Sequence, residues 1–301
     1  MDVLLNQLKK NGIGCMIGDT FYGAMSYADD LALICPSING LQAMIATCEQ
    51  FGIDYDMAFN PKKTVSICFS KNPQPFIFNV QLAGKNIKCC DCVKYLGCYL
   101  MHNLNETQEI QMKKNDFIAK VNSLIYKFGF VQSRTLYKLF HMFCCTFYGS
   151  QTWCLGDRNV DKIYKSWNIT VRRIFKLPYT SHTRLLSQIT MKPHICHQIA
   201  SRTLKLLYSM HDSENEQIRL VTNQSYQDNQ SIIRRNINYI CQTFDMKLSS
   251  VITSRVEIPV DITSDWKSKI LNEIIDIKDE ELGIEFEFVD LDYILNVLSI
   301  E

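Results

Sequence analysis

No apolar run in the 301 residues approaches the roughly 18 to 20 that a membrane-spanning helix requires, so no membrane span is expected. The opening Met1-Asp2-Val3-Leu4-Leu5-Asn6 lacks a basic start, an apolar stretch and a small-residue cleavage site, so no secretory leader is expected either. Together these absences make an intracellular protein the expectation. Also missing are a GxSxG elbow, a Walker loop and a Cys/His nucleophile pair in a recognisable setting. The familiar hydrolase and P-loop chemistries are thereby excluded. No internal repeat appears.

What is present begins with an apolar fraction of 47% against 21% charged residues, enough to bury a core in two ordinary domains or one large one with an appendage. The thirteen cysteines are odd in number and spread from Cys15 to Cys241. They are expected to be core or neutral thiols rather than a disulfide framework. The net charge of +1 conceals a split: residues 1–210 carry +11 and residues 211–301 carry −10. A polyanion is attracted to the first part and repelled by the second.

The apolar periodicity predicts a helix tail over residues 1–10, with Val3, Leu4, Leu5 and Leu8 on one side and a stop at Asn11-Gly12. Thr20 to Met25 and Leu31 to Cys35 are predicted strands on either side of Ser26-Tyr27-Ala28-Asp29-Asp30. A helix follows, capped by Ser37, with Leu41, Met44, Ile45, Cys48, Phe51 and Tyr55 on its apolar face. Val65 to Phe69 is a predicted strand, and a loop marked by Pro73 and Pro75 comes next. Phe76 to Leu82 and Asn86 to Lys88 read as a hairpin, and Val93 to Leu100 as a strand interrupted by Gly97. From about 104 the period turns helical, on Ile110, Phe117, Val121, Leu124 and Phe128, then on Leu136, Leu139, Phe140, Phe143 and Phe147. Further helices are predicted near 158–176 and over 194–211, a polar linker over 211–231, and helices near 265–278 and 290–299.

Asp29 and Asp30 are adjacent carboxylates at the tip of a tight strand–turn–strand, with no basic neighbour in sequence. Their mutual repulsion is removed by a divalent cation. Mg²⁺ takes octahedral oxygen ligands from one or two carboxylates, water and substrate phosphates. The alternative is an ordinary polar turn, where Asp-Asp is common.

Gly12-Ile13-Gly14-Cys15 through Tyr27-Ala28-Asp29-Asp30-Leu31 resembles the palm hairpin, with its YADD box, of reverse transcriptases of non-LTR (LINE-type, Jockey-like) retrotransposons. Gly40-Leu41-Gln42 through Cys48-Glu49-Gln50-Phe51, then Phe59-Asn60-Pro61-Lys62-Lys63-Thr64, is similar to the family's following helix and lysine-bearing turn. Lys94-Tyr95-Leu96-Gly97 looks like its primer-grip hairpin. These blocks stand in order over about 85 residues. Phe147-Tyr148-Gly149-Ser150 and Trp167 through Thr180 look like the thumb end and the helices beyond it. The resemblance covers residues 1–210 and none of 211–301.

The resemblance implies an α+β fold: a partial right-hand polymerase palm over 1–100, made of antiparallel sheet with a helix, then an all-helical thumb over 101–155. An all-helical extension over 156–210 and an acidic linker and tail over 211–301 complete it. It implies template-directed addition of dNTPs to a DNA primer on an RNA template, with Mg²⁺ (or Mn²⁺) held by Asp29 and Asp30, Asp29 the more direct ligand. Tyr27 would back the hairpin beside the primer end. Lys63 would protonate the leaving pyrophosphate or steady the nucleotide, beside Lys62, and Tyr95, Leu96 and Gly97 would position the primer. Arg172, Arg173 and Lys176 are candidate nucleic-acid contacts, with Trp167 and Phe175 either stacking on bases or filling the core.

The family's palm uses a further aspartate on an earlier strand, and neither Asp2 nor Asp19 sits in a matching context. The expectation is therefore a fragment, inactive alone, whose fingers and upstream palm would come from another chain or exon. The alternatives are a non-catalytic nucleic-acid-binding remnant and an inactive genomic relic. Cys89-Cys90-Asp91-Cys92 with Cys98 is expected to be a group of core thiols rather than a zinc site, for want of paired spacings. His194, Cys196 and His197 are expected to form a surface patch at a helix start.

Overall fold

The structure, a computed structural model, describes residues 1–69 and 79–248 together with Val251 and Ile258. The chain divides into two compact units, one of residues 1–106 with 213–221, the other of residues 107–212 with 222–301.

In the first unit, helix α1 (Asp2–Asn11) buries Leu4 and Leu8 and ends at Gly12, whose φ of 65° supplies a left-handed cap. Two short antiparallel pairs follow: β1 (Met16–Ile17) with β2 (Thr20–Phe21), and β3 (Ala24–Tyr27) with β4 (Asp30–Leu33). Backbone bonds from Cys15 to the Ile34 carbonyl, from Tyr22 to Cys15 and from Ile34 to Gly23 knit them together. The crossing is close. A Cβ on Gly14 would lie 2.8 Å from the Phe21 ring and 3.0 Å from Gly23 Cα, so only glycine fits. Helix α2 (Ile38–Asp54) starts at Ser37, whose hydroxyl accepts from the Gly40 N–H, and buries Met44, Cys48 and Phe51 against α1 and Phe21.

The same helix holds the next hairpin, β6 (Gln81–Leu82) with β7 (Lys85–Asn86), after β5 (Val65–Ser66). Gln42 exchanges two hydrogen bonds with the Gln81 backbone, at 2.8 and 2.9 Å, and the Glu49 carboxylate accepts from the Ala83 N–H. Strand β8 (Lys88–Cys89) pairs in parallel with β5. The antiparallel pair β9 (Cys92–Tyr95) and β10 (Cys98–Met101) follows. Residues 213–221 belong to this unit as well: the Tyr22 hydroxyl donates to the Gln217 carbonyl at 2.8 Å, and the Gln217 amide donates to the Phe21 carbonyl at 3.1 Å.

The second unit is helical: α3 (Thr107–Phe128), α4 (Ser133–Phe143), α5 (Arg158–Ile174), α6 (Thr183–Thr190), α7 (Ile195–His211), the second half of α8 (Glu216–Gln227) and α9 (Ile232–Thr243). Apolar residues at 3–4 spacing put Phe117, Phe140, Trp153, Trp167, Ile199 and Ile240 into one core. That core runs through residues assigned in sequence to thumb, extension and tail. No helix among the described residues is long and apolar enough to cross a membrane.

Several local expectations are corrected. Thr20 to Met25 is broken at Tyr22-Gly23 between β2 and β3, because the chain turns to pass Gly14. Val93 to Leu100 is a hairpin rather than one strand: Leu96 and Gly97 both have positive φ, 45° and 80°, and reverse the chain. The polar stretch 211–231 contains α8, since its Glu, Gln and Leu residues tolerate helix and Thr222 is buried. Helices α6 and α9 were not anticipated. Only three of the thirteen cysteines, Cys48, Cys144 and Cys145, are buried and none forms a disulfide; Cys89 is exposed on β8, which pairs only with β5. The loop at Pro73 and Pro75, the start of the Phe76 strand and the helices near 265–278 and 290–299 lie outside the described residues.

Two substitutions test this framework. Buried Asn236 donates to the Trp153 carbonyl at 2.7 Å and accepts from the Leu155 N–H at 2.8 Å, clamping that loop to α9. Asn236→Ala strands both backbone groups, and urea unfolding is expected to show a loss of about 2–4 kcal/mol. A wild-type midpoint would mean the clamp does not form in solution. Leu96→Asn puts the residue best suited to the first position of this loop where leucine is strained, and is expected to raise stability by up to about 1 kcal/mol in the same assay.

Candidate functional site

The candidate carboxylates sit where β3 turns into β4. Tyr27 faces Asp30 across the pair, and Ala28 and Asp29 form the two-residue loop between them. Only Ala28 takes a positive φ, 53°, the pattern of a II′-type loop. Alternation along the strands turns Ala24, Leu31 and Leu33 toward the Leu4–Phe21–Met44 core, and Met25, Tyr27 and Asp30 outward. Tyr27 is 66% exposed and both carboxylates are in solvent. Neither Asp29 nor Asp30 forms an ion pair or accepts a hydrogen bond among the described residues.

The β9–β10 loop lies near this tip. Tyr95 flanks Leu96-Gly97 on the strand side, and its phenol is pushed up first by burial and then by the negative charge of Asp30. The two hairpin ends thus share one electrostatic neighbourhood. Lys62 and Lys63 occupy a turn organised by Asn60, whose side-chain oxygen accepts from the Lys62 N–H at 2.9 Å and whose carbonyl accepts from Lys63 and Thr64. Both lysines are exposed, and neither pairs with a carboxylate among the described residues.

Mg²⁺ suits hard oxygen donors, and Asp29 and Asp30 are of that kind, exposed and unpaired. Among the described residues, however, no group of three or more His, Cys, Asp or Glu side chains is placed to hold a metal ion. The donor set fits one Mg²⁺ completed by water and phosphate oxygens, not a two-ion centre made by these residues alone.

In the helical unit, Arg172 donates through Nε and Nη2 to the Ser181 carbonyl, at 3.1 and 2.7 Å, and through Nη2 to the Thr183 hydroxyl. Arg173 donates to the Asn122 side chain at 3.1 Å. All these acceptors are neutral, so neither guanidinium charge is cancelled by its partner. Lys176 is exposed at the end of α5, with a left-handed φ of 50°. Trp167 and Phe175 are buried in the core and cannot stack on bases. Sequence reasoning missed Lys165 and Tyr179, which line an open cleft with Arg172. The available signal was the 165–169–172 spacing on one helix face, followed by an aromatic beside Pro178.

The expected surface patch at His194 is instead a half-buried hydrogen-bonded network. His194 caps α7, its Nδ1 accepting from the Cys196 N–H at 3.2 Å and facing Cys196 Sγ at 2.9 Å. Its Nε2 is 2.9 Å from Asn168 Oδ1, and its ring meets Trp167 edge-on at 4.7 Å. Burial, with His197 adding to it, pushes the imidazole down to about 4, and burial pushes the Cys196 thiol up to about 11. Thiol and imidazole are therefore both neutral near pH 7, and the group fastens α7 to α5 instead of activating a nucleophile.

The unfolded chain binds a proton at His194 below its ordinary value of 6.5, whereas the folded chain refuses it until about 4. Stability is then unaffected above that upper value and falls as pH drops through the window, by an amount on the order of 3 kcal/mol. His194→Asn keeps a capping oxygen but cannot titrate, and is expected to flatten the decline measured by urea unfolding between these pH values. An equally steep decline in the variant would assign the effect to other groups. Comparison with protein-family models, with curated proteins and with solved structures found no match to this chain.

Proposed function

We propose that this chain is part of a reverse transcriptase of the non-LTR retrotransposon type, contributing the carboxylate hairpin and the primer-positioning hairpin of its palm. The observation that supports the reading is the shared neighbourhood of two sequence-distant hairpin tips, Ala28-Asp29-Asp30 and Tyr95-Leu96-Gly97, in which the Asp30 charge reaches the Tyr95 phenol. The resemblance assigns these tips to metal binding and primer placement, and their proximity is what that division of labour requires.

In this reading Asp29 and Asp30 hold Mg²⁺ beside the primer end. The bound ion would neutralise charge on the nucleotide phosphates and favour ionisation of the attacking 3′-hydroxyl. Tyr27, on the same outward face as Asp30, supports the primer terminus, and Tyr95 with the Leu96-Gly97 loop fixes the direction of the strand. Lys62 and Lys63, uncompensated on the Asn60 turn, present cations to the phosphates of the nucleotide or primer. The further carboxylate of a two-ion centre comes from another segment or polypeptide. The chain alone then binds template–primer and a metal ion without sustained incorporation.

Mn²⁺ uptake followed by electron paramagnetic resonance, with an RNA template, DNA primer and matching dNTP, tests this. Uptake by the wild-type chain is expected to depend on template–primer and to weaken at least tenfold in Asp29→Ala, as loss of a direct carboxylate ligand demands. Uptake indifferent to Asp29→Ala, or to the nucleic acid, would defeat the proposal. Dinucleotide or longer extension by the wild type that vanishes in Asp29→Ala would keep the polymerase assignment and overturn the incomplete donor set.

A further inference from the structure

Along α5, Arg158, Lys162, Lys165, Ile169 and Arg172 recur at intervals of three and four and so form one face of the helix, while Ile163, Trp167, Val171 and Ile174 fill the core on the other. The stripe spans about 21 Å at 1.5 Å per residue. At its end the cleft of about 450 Å³ opens between α5 and the 179–183 loop, lined among others by Lys165, Asn168, Ile169, Arg172, Tyr179 and His182. Among the described residues no carboxylate lines it.

Arg172, Asn168 and His182 are each held by a neutral partner that leaves donors to spare. Arg172 spends Nε and Nη2 on the Ser181 carbonyl and Thr183 hydroxyl, which fixes the guanidinium plane and leaves Nη1 without a partner among the described residues. Asn168 uses Oδ1 toward His194, leaving its Nδ2 hydrogens. His182 Nδ1 accepts from the Arg184 N–H at 3.2 Å, so in the neutral ring the proton resides on Nε2, a further donor. Lys165 is exposed and forms no ion pair among the described residues. The nearest acid on the helix, Asp161, acts electrostatically on Tyr164 and Tyr239 instead. At the rim, Tyr179 is 83% exposed, a planar ring with almost no protein cover.

We propose that this cleft binds one nucleotide of a single-stranded nucleic acid, its phosphate on Arg172 and Lys165 and its base on the Tyr179 ring, with the strand continuing along the basic face of α5. The volume suits a base with its sugar and phosphate. The cleft's openness to solvent lets a continuous strand enter and leave. Donors alone would suit any phosphate, but an uncovered aromatic beside them adds a face on which an unpaired base stacks, and a duplex cannot offer that base. The site lies wholly in the helical unit and needs neither metal nor the hairpin tips.

Fluorescence anisotropy of labelled twelve-residue oligo(dT) and oligo(U), run in EDTA so that metal binding plays no part, tests the site separately from the polymerase reading. Tyr179→Ala is expected to weaken binding of both strands about tenfold at every salt concentration, and Tyr179→Phe to bind as the wild type, because stacking uses the ring. Tyr179 is exposed, so neither change threatens the fold. Lys165→Ala is expected to reduce the slope of log affinity against log salt by about 0.7, the share of one phosphate contact on a single strand. Tyr179→Ala binding the strands as tightly as the wild type would overturn the proposal. So would a duplex or inorganic polyphosphate of equal charge binding as well as the single strand, or a mononucleotide matching the oligomer.

Discussion

A two-residue loop whose twist matches the strands it joins holds at least one residue at positive φ, and the hairpin unit depends on that constraint four times. Gly18-Asp19, Ala28-Asp29, Ala83-Gly84 and Leu96-Gly97 are the four loops, and glycine supplies the strained position in only part of them. Ala28, Ala83 and Leu96 take left-handed φ despite carrying a Cβ, at a cost of about 1 kcal/mol each. The packing of Leu31 and Leu33 beneath one hairpin and the Glu49 carboxylate on another help offset that strain. What the constraint yields is placement: every candidate residue of the first unit except the two lysines stands at, or one position from, such a loop.

The helical unit solves a different problem. Its helices bury long apolar faces, and the loops between them must satisfy their backbone groups in the interior. Side chains do this: Asn236 for the segment at Trp153 and Leu155, Asp157 and His194 at the starts of α5 and α7, and Arg172 for the 181 carbonyl. Arg172 therefore has a structural duty and a spare charge at once. Because α5 gives one face wholly to the core, its cations collect on the other, and the polar chemistry of the unit is concentrated there.

Long periodic segments were legible in the sequence. The apolar positions read for α3, from Ile110 to Phe128, are buried, the helix read near 158–176 is α5, and the Ser37 cap of α2 is formed as read. Short elements were not. Strands of two residues carry no alternation to detect, and α6 and α8 are too short or too polar for a clear stripe. Helix α9 did carry a signal in Ser231 followed by Ile233, Ile237 and Ile240, which the surrounding polar residues obscured. For the site, the Asp29-Asp30 tip was visible because adjacent carboxylates are unusual. The electrostatic reach of Asp30 to Tyr95 and the sharing of one cleft by Lys165 and Tyr179 depend on how the backbone folds back, and no local pattern encodes them.

The hydrogen bonds between Tyr22, Phe21 and Gln217 join positions 195 and 196 residues apart within one unit. On a ribosome adding roughly 5 to 20 residues per second, the hairpins and α2 are exposed for roughly ten to forty seconds before the segment that completes their unit has been made. In the meantime the whole first run of the other unit, residues 107–212, has emerged and is free to collapse. The order of synthesis thus lets α3 to α7 gather before the first-made part of the chain receives its last piece, while α9 and its Asn236 clamp are made only after it.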